Sequence, residues 1–91
     1  MYYTYIIEGI NSHKKYIGYT SNWEKRLIYH NGGLNKSTKP YRPYKIIFLR
    51  EFASKKEAIV FENKLKSYKG GDALKQLIKS QGAGVVNRSS L

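Results

Sequence analysis

The sequence predicts one small α/β domain of the α+β type, built from three short strands and three helices. Three runs rich in β-branched and aromatic residues have the length and composition of strands. Two Ser-x-x-Glu patterns, of the kind that cap helices, each precede a stretch with helical character. A chain of 91 residues has room for one modest core. We therefore expect a single domain over residues 1–82 and a C-terminal tail over residues 83–91.

The first two strands are expected to form a hairpin. One strand runs from Tyr2 to about Glu8 and the next from Lys15 to Thr20, with turn residues between them. A loop of about five residues favours antiparallel pairing. Tyr5 and Tyr16 can then lie opposite each other on the paired strands. Gly18, inside the second strand, indicates either the close approach of another group or a bulge.

A helix is expected directly after the hairpin. Ser21-Asn22-Trp23-Glu24 has the form of a capping box with Ser21 as the N-cap, and Asn31-Gly32-Gly33 ends the helix. Arg26 and His30 lie one turn apart and share its polar edge. Their alternative interpretation is an ordinary solvated surface pair.

The second half of the chain is expected to add one strand and two helices. The strand runs from Tyr44 to about Phe52. Ser54-Lys55-Lys56-Glu57 is a second capping box, and it opens a helix that runs to a Gly70-Gly71 stop. Asp72 is expected to cap a short last helix around residues 73–80.

The helix after Ser54 carries a carboxylate, Glu62, on its inward side. The apolar stripe of this helix consists of Ala58, Phe61, Leu65 and Tyr68. Glu62 lies four residues after the first member of the stripe and three before the third. Because an unpaired buried carboxylate is costly, it must pair with a base, bind a metal ion or lie at the margin of a cleft. A salt bridge to a lysine or arginine of another element is the structural alternative.

The charge of the chain favours a polyanionic partner. With 17 Lys and Arg residues against 6 Asp and Glu residues, the formal net charge is +11, which favours nucleic acid through phosphate contacts and counterion release. The segment from Asn31 to Pro43 is rich in Gly, Ser, Asn and Pro, so it is expected to be a long surface loop. Its basic residues Lys36, Lys39 and Arg42 are the candidate nucleic-acid contacts.

Composition also excludes several classes of protein. No apolar run approaches the roughly 20 residues that a membrane-spanning helix needs. The chain has no cysteine, which removes disulfides, thiolate metal sites and cysteine nucleophiles. Its first residues lack the pattern of a secretory signal, so a cytoplasmic location is expected.

The order and spacing of these residues resemble the GIY-YIG endonuclease superfamily, in particular its small stand-alone members. The YIG element is Tyr16-Ile17-Gly18, and the first element is degenerate, Tyr3-Thr4-Tyr5, with only its tyrosine retained. Arg26 and His30 match the Arg and His on the helix after YIG. Glu62 matches the metal-binding Glu of the family.

The resemblance implies a three-stranded antiparallel sheet flanked by helices, and metal-dependent hydrolysis of phosphodiester bonds in DNA. Repair, recombination and DNA processing are the expected settings, with single-stranded or branched DNA among the expected substrates, and the choice between single-stranded, duplex and branched DNA stays open. Some members also use an Asn near the end of the domain. Asn87 is the candidate for that position, although its Gly- and Ser-rich surroundings are equally typical of a tail.

Each chemical requirement of phosphodiester hydrolysis then has a candidate supplier. Glu62 would anchor one Mg²⁺ or Mn²⁺, since such a hard cation needs only one or two protein carboxylates. Arg26, with its planar fork of donors, would hold the scissile phosphate. Tyr16 is the expected general base, and Tyr5 and His30 would position the water or relay the proton. Which of these last three takes the first proton stays open.

Two other functions remain as alternatives. The first is a nucleic-acid-binding module that keeps the fold and the basic surface and does no chemistry. The second is a basic RNA-associated protein, for which some of the nine tyrosines would lie exposed on the sheet and stack with bases. The sequence does not indicate an oligomeric state.

Overall fold

The computed structural model describes residues 1–68 and 71–80 of the chain. Its strands are β1 (Tyr2–Gly9), β2 (Lys15–Thr20) and β3 (Tyr44–Phe52). Its α-helices are α1 (Trp23–Asn31), α2 (Lys55–Ser67) and α3 (Asp72–Ser80). The predicted order of elements is confirmed. The sequence did not predict a short 3₁₀ helix, Lys39–Tyr41, in the long segment between α1 and β3.

The three strands form one antiparallel sheet in the order β2-β1-β3, which confirms the predicted fold class. The expected pairing of the two tyrosines is wrong, because Tyr5 lies opposite Gly18 and Tyr16 lies opposite Ile7. The hairpin loop sets this offset by closing directly after the pair that Glu8 forms with the start of β2. Tyr5 and Tyr16 therefore share a face of the sheet as diagonal neighbours.

The pairing of β1 with β3 contains an irregularity that no sequence pattern indicated. Ile6 lies opposite Phe48 and the next residue, Ile7, lies opposite Ile46. Ile47 is therefore extra on the β3 side, which is the arrangement of a β-bulge. The bulge lets β3 contribute Ile46 to one face of the sheet and two successive residues, Ile47 and Phe48, to the other.

Both faces of the sheet are covered. On the first face, α1 packs over a cluster formed by Tyr5, Ile7, Tyr44 and Leu49. On the second face, α2 and α3 supply two leucines to a cluster formed by Ile6, Phe48, Leu65 and Leu74. Because β1 is the central strand, its alternate side chains enter both clusters. Edge strand β2 borders the helices of both layers.

The helix caps follow the predictions at α2 and differ at α1. Ser54 caps α2, and its hydroxyl accepts a hydrogen bond from the Glu57 backbone N–H at 3.2 Å. At α1 the N-cap is Asn22 rather than Ser21, and its Oδ1 accepts from the Lys25 N–H at 3.0 Å. Asn and Ser are comparable N-caps, so neighbouring candidates could not be ranked from the sequence.

The end of α2 and the start of α3 flank residues outside the described part of the chain. α2 ends at Ser67, and Gly70 of the predicted stop lies outside the described residues. Asp72 is not the cap of α3 but a residue of its first turn. The Gly71 carbonyl accepts from the Lys75 N–H at 3.2 Å, which makes Gly71 the residue that precedes the helix.

Candidate active site

A cleft of about 370 Å³ lies beside strand β2, where the two helical layers meet the edge of the sheet. Four of the residues proposed from the sequence line it, each from a different element: Tyr5 from β1, Tyr16 from β2, Arg26 from α1 and Glu62 from α2. The remaining lining residues are Tyr2, Gly18, Tyr19, Thr20, Ser21 and Lys55. A fold built on a central β1 thus brings together groups that are far apart in the chain.

Gly18 allows the Tyr5 hydroxyl to approach β2 closely. A Cβ atom at this position would lie 2.6 Å from Tyr5 Oη and 2.8 Å from Tyr5 Cζ, which is closer than side chains pack. The two residues are direct partners across the hairpin. Of the two explanations for a glycine in this strand, the close approach is therefore the one the structure supports, and the bulge lies instead on the β3 side of β1.

His30 is buried beneath the cleft. None of its surface is exposed, and its Nε2 lies 3.1 Å from Tyr5 Oη in a hydrogen bond. The ring of Tyr16 is a close neighbour, with 5.0 Å between the ring centroids. The expectation that His30 lies on the polar edge of α1 is wrong, and so is the alternative of a solvated surface pair. The long segment that follows the helix folds back and covers His30 through Thr38, whose Oγ1 lies 2.9 Å from Nδ1.

Burial sets the protonation of the Tyr5–His30 pair. Burial raises the pKa of Tyr5 well above its ordinary value of 10.0, the neighbouring Tyr16 adds to the shift, and Arg26 opposes it. Burial also lowers the pKa of His30 below 6.5, and the positive charge of Arg26 lowers it further. Both side chains are therefore neutral near pH 7. A neutral pair hydrogen-bonded to each other has no free charge to bind a metal ion or a phosphate.

Arg26 supplies the positive charge of the cleft. Its guanidinium lies 5.2 Å from the centroid of the Tyr29 ring, in cation–π geometry. The residue is exposed and borders a second hollow of about 450 Å³, lined also by Lys25 and Tyr29. Although Arg26 and His30 are four residues apart on α1, Arg26 faces the open cleft and His30 faces the core. The predicted pair is thus divided between solvent and interior.

Glu62 supplies the negative charge. Its side chain is 12% exposed and its Oε2 lies 3.2 Å from Lys66 Nζ, in an ion pair within α2. The sequence alternative of a base from another element is therefore wrong, since the partner is on the same helix. Lys66 is 54% exposed, so solvent screens this pair. In the described residues the second carboxylate oxygen has no protein partner, and the carboxylate borders the cleft.

The other candidates lie away from the cleft. Lys36, Lys39 and Arg42 are exposed on the long segment between α1 and β3, and in the part of the chain that the structure describes none of them lines the cleft. The last two converge at Gly33, where an added Cβ would meet both the guanidinium of Arg42 and the Lys39 side chain. Asn87 lies outside the described residues.

Lys55 and Thr38 are among the residues at the site that the sequence reasoning missed. Lys55 lines the cleft with Glu62. Their spacing of seven residues, two helical turns, was a usable signal because it places both on one face of α2. Thr38 is 1% exposed and holds His30. No sequence pattern marks one threonine of a polar loop as buried, since the burial depends on how the loop folds.

Comparison with known proteins identifies the family of the chain. Residues 1–72 match the model of the GIY-YIG catalytic domain. The chain belongs to the GIY-YIG family. The match includes every element that lines the cleft, so the GIY-YIG assignment made from the sequence is confirmed. It places this GIY-YIG chain among nuclease domains, whose class of partner is nucleic acid.

Relatives of this GIY-YIG chain are small proteins of similar length. It is 35% identical over 77 residues to a UPF0213 protein of Staphylococcus haemolyticus, and the aligned region covers 84% of this chain and 93% of the relative. It is 41% identical over 68 residues to a UPF0213 protein of Streptococcus pneumoniae, covering 74% of the chain and 68% of the relative. The solution NMR structure of a UPF0213 protein from Bacillus halodurans resembles the fold with a TM-score of 0.52 and 29% identity, over 92% of this chain and 88% of that one.

None of the helices in the described residues is both long enough and apolar enough to cross a membrane.

Proposed function

We propose that this GIY-YIG chain is a metal-dependent DNA endonuclease that hydrolyses phosphodiester bonds. Single-stranded and branched DNA are the proposed substrates, in repair, recombination or DNA processing. The observation that carries the proposal is the convergence of Tyr16, Arg26 and Glu62, from three separate elements, on one cleft. A proton acceptor, a phosphate-binding cation and a carboxylate are the groups that this hydrolysis needs.

Glu62 fits a single Mg²⁺ or Mn²⁺. These ions keep several waters and take one or two protein carboxylates beside the substrate phosphate. Glu62 meets this requirement because one of its oxygens lacks a protein partner in the described residues, and its ion pair with Lys66 is exposed to solvent. Those residues contain no cluster of three or more His, Asp and Glu side chains, so a single ion fits better than two. When bound, the ion supplies positive charge for the phosphate oxygens.

Arg26 binds the scissile phosphate in this proposal. Its guanidinium is exposed at the cleft, and the Tyr29 ring beneath it restricts its motion. A planar guanidinium can donate two parallel hydrogen bonds to a phosphate. Lys55, on the same cleft, adds a second positive charge along the backbone of the nucleic acid.

Tyr16 is the proposed general base. Tyr5 and His30 are buried, neutral and hydrogen-bonded to each other, so neither is free to accept a proton from the cleft. Tyr16 is half-buried and borders the cleft. In this step Tyr16 reacts as the phenolate, beside the positive charge of Arg26 on the same cleft. The water oxygen bonds to phosphorus, and the proton of the water passes to the phenolate oxygen of Tyr16. The bond from phosphorus to the leaving oxygen breaks, and the leaving oxygen takes a proton from solvent.

The test is a cleavage assay of the purified chain with Mg²⁺, Mn²⁺ or EDTA on single-stranded, duplex and branched DNA and on RNA. Glu62→Gln keeps the size of the side chain and removes its charge, so divalent-dependent cleavage should be lost while DNA binding is retained or tightened. Glu24→Gln, an exposed change of the same charge on α1, is the matched control and should cut like wild type.

The same assay separates an enzyme from a binding module. Suppose that the wild-type protein binds DNA but cuts neither DNA nor RNA with either ion. The protein would then be a nucleic-acid-binding module without catalytic activity. If Glu62 were only structural, Glu62→Gln would lower the unfolding temperature and the folded fraction would still cut. Thermal unfolding, DNA affinity and nicking are therefore measured on one preparation.

A further inference from the structure

A buried threonine links the long segment between α1 and β3 to the interior of the cleft. Thr38 Oγ1 lies 2.9 Å from His30 Nδ1, and His30 Nε2 lies 3.1 Å from Tyr5 Oη. All three side chains are at most 2% exposed. They form a continuous chain of hydrogen bonds from the polar segment to a residue that lines the cleft.

The far end of this chain is fixed by Asn35. Its side-chain Oδ1 accepts hydrogen bonds from the Ser37 and Thr38 backbone N–H groups, at 2.8 and 3.3 Å. Its backbone carbonyl accepts from the Lys39 N–H at 2.9 Å and from the Thr38 hydroxyl at 3.5 Å. These bonds fold residues 35–39 into a tight turn that directs Thr38 inward.

The acceptor beside Thr38 favours one arrangement of the hydrogens. The Thr38 hydroxyl has the Asn35 carbonyl as an acceptor, so its oxygen can accept a hydrogen bond from His30 Nδ1–H. Neutral imidazole carries one N–H, so Nε2 is then the acceptor for the Tyr5 hydroxyl. In this arrangement every donor has an acceptor. The Tyr5 oxygen keeps its lone pairs free toward the cleft.

We propose that Thr38 is a positioning residue that holds His30 as the Nδ1–H tautomer and thereby makes Tyr5 a hydrogen-bond acceptor toward the cleft. This proposal rests on the proposed nuclease function. An acceptor at this place orients one hydrogen of the attacking water, and the water directs its other hydrogen to Tyr16. With the other tautomer, His30 Nε2–H would donate to Tyr5, and the Tyr5 O–H would point into the cleft as a donor.

Long-range ¹⁵N–¹H NMR correlations of the histidine rings test the tautomer directly. A His13→Gln background leaves His30 as the single histidine of the chain, since the sequence has two. We expect a protonated Nδ1 and an unprotonated Nε2 in this protein near pH 7.5. A ring that carries its hydrogen on Nε2 overturns the proposal, whatever the cleavage assay shows.

Two substitutions at Thr38 test the role of its hydroxyl. Thr38→Val keeps the shape and removes the oxygen, so the Nε2–H tautomer should become populated and kcat should fall about 10- to 100-fold, with KM within about 3-fold of wild type. Thr38→Ser keeps the hydroxyl and should restore both the tautomer and the rate. Ser37→Ala, an exposed neighbour, is the control and should match wild type in both readouts.

The outcomes separate this proposal from the proposed function. A wild-type chain with the Nδ1–H tautomer and no cleavage activity contradicts the nuclease function and leaves the tautomer assignment in place. Cleavage by wild type with an unchanged tautomer in Thr38→Val contradicts the role of Thr38 alone. If Thr38→Val does not fold, a Thr38→Ser variant with the wrong tautomer or a lost rate contradicts it equally.

Discussion

Gly18 is the position at which one added carbon should disturb the cleft most. In Gly18→Ala the new Cβ would lie 2.6 Å from Tyr5 Oη, whereas ordinary contacts begin near 3.4 Å. Tyr5 is buried in the central strand, packed against its cluster and hydrogen-bonded to His30, so a displaced ring loses both its packing and this bond. The two groups must therefore separate by about 0.8 Å, the difference between those distances.

The expected energy follows from two opposing effects. Overpacking a core costs about 1–3 kcal/mol. Alanine loses less conformational entropy on folding than glycine, which returns about 0.5–1 kcal/mol. We expect a net loss of about 1 kcal/mol in the free energy of unfolding, within a range of about 0–2.5 kcal/mol, measured by urea denaturation monitored by circular dichroism. The Tyr5–His30 hydrogen bond should lengthen, and cleavage should fall at least about 10-fold.

Gly32→Ala is the control for this substitution. Gly32 is exposed and has right-handed helical backbone angles, with φ −77°. An added Cβ would lie 3.2 Å from the Ile28 carbonyl oxygen, about 0.2 Å inside the ordinary contact distance, compared with about 0.8 Å at Gly18. A small shift at this exposed helix end relieves that contact, so the free energy of unfolding should change by no more than about 0.5 kcal/mol. Wild-type stability in Gly18→Ala, together with an unshifted His30 Nε2 resonance, would refute the packing argument.

Three further predictions concern charge and protonation. The first changes to Ala the three basic residues of the long segment, namely Lys36, Lys39 and Arg42. If they contact phosphates, the slope of log affinity against log salt should flatten by about two to three units, and an unchanged slope removes the segment from the interface. The second is Tyr16→Phe, which should lower the cleavage rate at least about 10²-fold with DNA affinity retained, whereas Tyr41→Phe outside the cleft should not; full activity in Tyr16→Phe excludes it as the base. The third concerns His30, whose pKa is lowered below 6.5 by burial. Because the unfolded chain then binds the proton more readily than the folded chain, the contribution of His30 to stability is fully present above pH 6.5. It decreases as the pH falls below that value. Replacing His30 with Gln should remove up to about 1.4 kcal/mol per pH unit of this dependence between pH 6.5 and 5.5, while His13→Gln retains it, and equal slopes in the two variants would show that His30 is not the source.

The local parts of the fold were predictable because their signals are local. Alternating β-branched and aromatic residues identified all three strands, and the Ser54 capping box located the start of α2. Tyr16, Arg26 and Glu62 were candidates because their order and spacing resemble those of the GIY-YIG family, and the structure brings them to one cleft. The position of Glu62 on the inward side of its helix also indicated a residue at the margin of a cleft, and the 12% exposure of its side chain agrees with this.

The relations between elements were not predictable in the same way. The offset between Tyr5 and Tyr16 depends on where the hairpin loop closes, and several loop lengths suit the same residues. The burial of His30 depends on a segment that begins after its helix and returns over it through Thr38. Each of these features arises from pairing or packing between distant parts of the chain. The spacing of apolar residues within one helix or strand carries no information about such contacts.

The central place of β1 has a consequence for biosynthesis. β1 precedes both of its partners, and its pairing with β3 joins Tyr2 to Phe52, fifty positions further along the chain. Before the chain reaches β3, the β1–β2 hairpin is the only part of the described sheet that can form, and an isolated two-stranded hairpin is marginal in water. The carboxylate of α2 emerges later still. In a ribosome-bound fragment without β3, the tyrosines of the cleft are therefore present before Arg26 and Glu62 are held in position and before the sheet is packed. The proposed cleavage activity would arise only when the sheet is complete.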